Sequence, residues 1–187
     1  MISMETLISI FLGIGLAASA GFRVFVPLFI LSLASNFNWI PLNEAWSWLG
    51  DVPALLAFGV AMIFEISAYY IPFIDNLLDS IAIPLVAIAG TAVMVSTLVD
   101  LNPLLTWGLA IIAGGGTASA IHSATAVTRL TSTTTTGGVG NPLVSTVETG
   151  TATVISLASI FIPIIAFIFV LFIFFVGIKF FKKLFGK

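Results

Sequence analysis

Long apolar runs alternate with short polar connections along the chain. A transmembrane helix needs about 20 predominantly apolar residues. Five runs meet this length, at residues 6–34, 52–70, 80–99, 103–128 and 143–178. None of them alternates apolar and polar residues with a period of two, which is typical of membrane-barrel strands. The pattern therefore predicts an all-α, polytopic transmembrane helix bundle with about five membrane segments.

The first and last runs are longer than a straight crossing requires, since a helix rises about 1.5 Å per residue. The first run contains Gly21 and Pro27, the last contains Pro163, and the fourth carries consecutive glycines at 114–116. We therefore expect one or two of the membrane helices to be broken or kinked.

Several helix starts are marked by an Asn or Asp followed closely by Pro. This combination is typical of an N-cap and the first helical turn. Asp51, Asn102 and Asn141 stand in this position, and Asp75 is a candidate cap for the third run. These residues predict where the second to fifth segments begin.

Two polar connections separate the runs. The connection at 35–51 carries Trp39, Trp46 and Trp48, which suit the headgroup region of a bilayer. The connection at 129–142 is rich in Thr and Gly and nearly uncharged. It is either a disordered linker or a segment folded back against the bundle. In the second case its irregular backbone would have to be buried in protein or line a water-filled cavity.

Composition supports a membrane location. Apolar residues make up 59% of the 187 residues and charged residues 7%, and the mean hydropathy is +1.22. Soluble domains carry roughly 25% charged residues, so the outer face is expected to contact membrane lipid. Residues 1–187 are predicted to form a single integral membrane domain. The lack of Cys excludes disulfides and thiolate metal sites, and a net charge of −2 gives no reason to expect a nucleic-acid partner.

The basic cluster near the C-terminus comprises Lys179, Lys182, Lys183 and Lys187. The positive-inside rule assigns such a cluster to the cytoplasm, so we expect a multi-pass protein of the cell membrane with a cytoplasmic C-terminus. The first run contains Ala-Ser-Ala at 18–20, which resembles a signal-peptide cleavage site. No Lys or Arg precedes that run, and it continues beyond the supposed cut, so we expect a retained helix.

The Ala-Ser-Ala sequence at 18–20 recurs at 118–120. Each copy follows a Gly-containing apolar stretch and precedes rare polar side chains, Arg23 in the first case and His122 in the second. Two explanations stay open. Two helices use small residues independently for close packing, or the chain contains an internal duplication of the kind found in many transporters.

Several blocks of residues carry a resemblance to a known family. They are Gly15-Leu16-Ala17-Ala18, Gly21-Phe22-Arg23, Pro27, Glu65, Ile71-Pro72 and Asp75, then residues 114–120, His122, Arg129, Thr135, Gly137, Gly138, Asn141-Pro142, Ser145 and Glu148. With these blocks the chain resembles an uncharacterised prokaryotic family of small membrane proteins, known as domain-of-unknown-function family 4126. The resemblance runs along most of the chain. It implies the fold and a prokaryotic cell membrane location, and it implies no activity.

Polar residues inside the apolar runs are the candidate functional residues. An ionisable group at membrane depth costs about 2.5–3.5 kcal/mol on insertion scales, so it usually faces a partner charge, the protein interior or water. We assign a substrate or ion pathway to Glu65, His122, Arg129, Asn141, Ser145 and Glu148, with Arg23 as a charge partner and Asp75, Asp79 and Thr135 as secondary candidates. His122 and Arg129 share one helix face with Thr125, and Asn141, Ser145 and Glu148 share another.

Several of these candidates have a structural interpretation beside the functional one. For Glu65, the structural interpretations are an ion pair with Arg23 or Arg129 and a side chain that reaches the membrane interface, and the functional one is a proton or cation site. His122 is a hydrogen-bonded core residue or a proton relay. Asn141 is an N-cap or a ligand. These alternatives depend on which groups the fold brings together.

Enzyme motifs are missing from the sequence. It contains no phosphate-binding Gly-Lys motif, zinc helix motif or nucleophile elbow. We therefore expect no enzyme activity, no cofactor and no metal site. The polar residues favour a transporter or channel that passes a small solute or ion through a polar interior. The alternative is a structural or lipid-interacting membrane scaffold, and homo-oligomers are compatible with either function.

Overall fold

Eight α-helices, a short 3-10 helix and a π-helical segment form the described part of the bundle. The computed structural model describes residues 3–71 and 74–185, with the backbone alone at 180, 181 and 183–185. The helices are α1 (Met4–Phe22), α2 (Phe25–Asn36), the 3-10 helix (Glu44–Gly50), α3 (Val52–Ala68), α4 (Ile74–Thr97), α5 (Pro103–Leu109), the π-helical segment (Ala110–Gly115), α6 (Gly116–Thr136), α7 (Asn141–Phe161) and α8 (Pro163–Phe185). All regular structure in these ranges is helical, which confirms the predicted fold class. Pro72 and Lys187 lie outside the described residues, as does the Lys183 side chain.

Within residues 3–71 and 74–185, four helical stretches are long and apolar enough to cross a membrane. They are α1, α4, the continuous stretch Pro103–Thr136, and α7. A fifth is added if the 3-10 helix and α3, which meet at an angle of 64°, count as one span. Two shorter apolar helices, α2 and Pro163–Lys179, complete the set. The prediction of about five membrane segments is confirmed.

The first apolar run breaks within the stretch from Gly21 to Pro27, as expected, and forms two helices. Arg23 is extended (φ −146°, ψ 124°) and separates α1 from α2. The N-terminal half of α1 lies against the end of α4, where Gly13 approaches Thr97. The chain after α2 returns to the same place, because the Asn43 amide donates to the Ser96 carbonyl at 2.8 Å. Helices α1 and α2 therefore form a hairpin with Arg23 at its tip.

The last apolar run breaks where predicted. Helix α7 ends at Phe161 and α8 begins at Pro163, a position where the missing amide of proline costs nothing. The helix does not break at the glycines at 114–116, because Gly114 and Gly115 lie in the π-helical segment and Gly116 begins α6 directly after it. A Cβ on Gly90 would lie 2.7 Å from the Gly114 carbonyl, so two glycine surfaces allow α4 to approach this turn closely.

The polar connection predicted at 129–142 is shorter than expected. Helix α6 continues to Thr136, and the turn begins at Gly137, whose φ of 64° favours glycine. The threonines remain helical because their hydroxyls donate to carbonyls one turn earlier, as in Thr131 to Val127 and Thr136 to Ser132. The prediction of an irregular segment is wrong for residues 131–136.

The predicted helix starts have mixed outcomes. Asn102 caps α5 through its side-chain oxygen, which accepts from the Leu105 amide at 3.0 Å. Asp51 occupies the N-cap of α3 without a side-chain hydrogen bond. The capping predictions are wrong for Asn141, which is the first residue of α7, and for Asp75, which lies within the first turn of α4. Their side chains contact each other instead.

Helix α1 lies at the centre of the bundle. It packs against α4, α6, α7 and α8, and its residues from Gly15 to Gly21 are buried. Ala18 and Ala118, from the two Ala-Ser-Ala sequences, are both fully buried, and their helices pack together. Close packing therefore accounts for the small residues in both places, and the internal duplication stays a prediction.

Candidate functional site

Four charged residues from different parts of the chain meet inside the bundle. Arg129 of α6 pairs with Asp79 of α4 and with Glu148 of α7. Arg23, at the tip of the α1–α2 hairpin, places Nη1 3.1 Å from Oε2 of Glu148. Both arginine side chains are fully buried. These four residues, called the charge network below, carry two positive and two negative charges, so their formal charges cancel.

The break between α1 and α2 determines where Arg23 points. Its guanidinium is held by donation from Nε to the Thr149 hydroxyl at 3.0 Å and from Nη2 to the Ser145 carbonyl at 3.2 Å. Nη1 also donates to the Phe22 carbonyl at 3.2 Å. The Phe22 carbonyl is available because it lies in the last turn of α1, where carbonyls lack a helical partner, whereas the Ser145 carbonyl lies inside α7 and uses the second acceptor site of its oxygen. Thr149 has no role in the sequence prediction.

Tyr69, just after α3, joins the two arginines. Both guanidinium carbons lie over its ring, that of Arg23 4.0 Å and that of Arg129 4.2 Å from the centroid. Such cation–π contacts are strongest where water is excluded, and Tyr69 is buried. Its hydroxyl donates to Asp79 at 3.2 Å, and its carbonyl accepts from the Ser145 hydroxyl at 3.0 Å. In the sequence Tyr69 stands one turn after Glu65, and no role is predicted for it.

Glu65 forms no ion pair with Arg23 or Arg129, so the ion-pair interpretation of this residue is wrong. Its two carboxylate oxygens accept from the amides of Val24 and Phe25, at 2.7 and 2.9 Å. These are the unsatisfied amides at the start of α2, where the helix dipole favours a negative charge. The end of α3 therefore caps the hairpin tip from outside.

A second polar cluster lies nearer the end of α6. The Asn141 amide donates to Asp75 at 2.5 Å and to the Thr133 hydroxyl at 2.8 Å, which ties the start of α7 to α4 and α6. Asp75 is fully buried. Thr135 does not join this cluster, because it is exposed and its hydroxyl donates to the Thr131 carbonyl.

The helix faces predicted from spacing are both buried. His122, Thr125 and Arg129 lie in the interior on α6, and the face of α7 that carries Ser145 and Glu148 is also buried. Within the described residues, four buried polar atoms lack a hydrogen-bond partner: His122 Nε2, Arg129 Nε, Asn141 Oδ1 and Glu148 Oε1. Each unsatisfied buried group costs about 1–3 kcal/mol, so a ligand that contacted them would gain binding energy.

No metal centre is evident in the parts of the chain that the structure covers. No three His, Asp or Glu side chains there converge as metal ligands would. Charged and hydrogen-bonding groups thus meet where the tip of the α1–α2 hairpin and the end of α3 lie against α4, α6 and α7.

A model of a protein family, described as Domain of unknown function (DUF4126), matches residues 10–183. The chain belongs to this family. The matched range contains all four residues of the charge network of this DUF4126 chain, and it also contains Glu65 and Tyr69. Comparison of this DUF4126 chain with curated proteins and with solved structures gave no match.

Proposed function

We propose that the protein is a membrane transporter that moves a small solute or ion by opening and closing the helix contacts around the charge network. The observation that carries this proposal is the buried meeting of Arg23, Asp79, Arg129 and Glu148 at the tip of a broken helical hairpin. These charges come from four helical elements, so a change of ionic partner alters the packing of all four.

The energetics of buried charge favour a function over a purely structural role. Taking an ion pair out of water costs free energy that its attraction barely repays, and apolar replacements are often neutral or stabilising. Membrane helices associate through small residues instead, and α4 already uses Gly90 in this way against Gly114. A scaffold would not need the charge network to assemble.

The broken hairpin gives independent support. Transporters commonly bind solutes where a helix is interrupted near the middle of the bilayer, because the interruption frees backbone groups. Here the interruption at Arg23 lies against the charge network, and the freed amides of α2 face Glu65. Every member of the network has an ionic partner within it. A charged solute would therefore have to exchange with an existing ion pair, which favours alternating access over an open pore.

Flux in proteoliposomes tests this proposal. Vesicles loaded with the pH-sensitive dye pyranine would receive inward gradients of Na⁺, K⁺, Mg²⁺ or phosphate, one at a time. We expect at least one gradient to drive a dye response in the wild type that falls at least tenfold in Glu148→Gln. The matched control is Glu44→Gln, because Glu44 is an exposed acid far from the network in the 3-10 helix.

The opposite outcome would support the scaffold alternative. If no gradient drives a response above that of protein-free vesicles, the protein couples none of these four ions to proton movement, which counts against the transport proposal and for the scaffold. The same conclusion follows if Glu148→Gln and Glu44→Gln both conduct like the wild type.

A further inference from the structure

A crevice separates α3 from α4, although these helices are consecutive in the chain. Helix α3 packs mainly against α2 and the 3-10 helix, and none of its residues is fully buried. The crevice has a volume of about 390 Å³, within the range of about 300–1,000 Å³ typical of ligand pockets. Its apolar lining includes Phe25, Phe64, Leu78, Ile81 and Leu85.

Among the described residues that line this crevice, Glu65 and Tyr69 are the polar ones. Since the formal charges of the network cancel, the Glu65 carboxylate is an additional negative charge. Its partners are the amides of Val24 and Phe25 at the start of α2, and a helix start carries roughly half a positive charge. The crevice therefore combines apolar walls with a net negative charge.

We propose that the crevice binds a lipophilic organic cation. A lipid acyl chain would fill the apolar volume but would not neutralise the negative charge that remains beyond the partial positive charge of the α2 start. An inorganic cation would lose its hydration shell to walls that offer few oxygen ligands. An organic cation with aryl or alkyl groups satisfies both features, and the rings of Phe25 and Phe64 offer cation–π contacts. Phe64, 72% exposed, lies where such a molecule would enter from the bilayer.

Tyr69 connects this site to the charge network. It lines the crevice and also contacts Arg23, Arg129 and Asp79. A bound cation would therefore lie one side chain away from the proposed transport site. Binding itself does not require transport, so the two proposals fail independently.

Equilibrium dialysis of tetraphenylphosphonium against purified protein in lipid nanodiscs tests the site. We expect saturable binding to the wild type and to Glu44→Gln, and at least tenfold weaker binding to Glu65→Gln. Triphenylphosphine oxide, a neutral aryl compound, should compete poorly. Empty nanodiscs correct for partition into lipid.

A second variant is needed because Glu65 also caps α2. Ala61→Phe narrows the crevice from α3 and leaves the carboxylate in place. We expect it to abolish saturable binding without lowering the unfolding temperature, even if Glu65→Gln fails to fold. Unchanged binding in Ala61→Phe, or equal competition by the neutral compound, would overturn the proposal and indicate a non-specific lipid groove.

Discussion

Replacing Glu148 by methionine removes the carboxylate oxygen that Arg23 and Arg129 share. Arg129 keeps Asp79, whereas Arg23 keeps only neutral partners such as the Thr149 hydroxyl. The charge network then changes from a net charge of zero to +1 inside the bundle. Removing one partner of a buried pair costs about 3–5 kcal/mol, because the remaining charge is left uncompensated. We expect Glu148→Met to lower the free energy of unfolding by that amount.

A second substitution, Arg23→Met, distinguishes the effect of charge balance on the free energy of unfolding from the effect of lost side-chain volume. Arg23→Met alone leaves Asp79 and Glu148 against Arg129, a net charge of −1, and should also be strongly destabilising. The double variant returns the network to zero, because Arg129 and Asp79 remain as a neutral pair. We therefore expect the double variant to be more stable than the sum of the single effects predicts, by about 0.5–3 kcal/mol, the usual range for groups in one network.

The assay is equilibrium unfolding in mixed detergent micelles, followed by circular dichroism. Glu44→Met is the control, and its exposed position predicts a change within about 0.5 kcal/mol. Additivity of the two network substitutions within about 0.5 kcal/mol would refute the reasoning. It would mean that the two side chains contribute separately and that charge balance does not determine the stability of the bundle.

Two further predictions concern packing and topology. Gly90→Ala would place a Cβ 2.7 Å from the Gly114 carbonyl, so we expect a loss of about 1–3 kcal/mol in the same assay. Gly150→Ala, in open space within α7, should instead stabilise by about 0.5–1 kcal/mol, and the reverse order would contradict the close contact. We also expect a reporter fused after Lys187 to be active only in the cytoplasm, as the basic cluster predicts. Activity confined to the outer side would reject that topology.

The membrane segments could be predicted because polar groups are costly to bury in lipid, and this cost keeps polar residues out of long runs of consecutive residues. The length of each apolar run therefore indicates a membrane segment. Pro163 also marks the break between α7 and α8. Helical spacing likewise placed His122 and Arg129 on one face, and both are buried. These inferences need only local geometry, which the sequence contains.

The Thr-rich stretch shows where local patterns fail. Thr and Gly at 131–140 resemble a connection because threonine has weak helix propensity. In the structure, hydroxyls such as those of Thr131 and Thr135 donate to their own helix, so α6 continues to Thr136. Composition does not distinguish a threonine that bonds back to its helix from one that leaves it, because both use the same hydroxyl.

Glu65 shows why the partner of a buried charge is harder to predict than its burial. Charge balance suggested an arginine as the partner of Glu65. A sequence shows the charged side chains, but it does not show which backbone amides the fold leaves free. The actual partners are backbone amides of Val24 and Phe25, which become available only because the chain breaks at Arg23. A helix start supplies such donors whatever its side chains are. The break therefore determines two contacts at once: it frees the amides for Glu65 and releases Arg23 to reach Glu148, which is why the hairpin tip and the charge network form a single site.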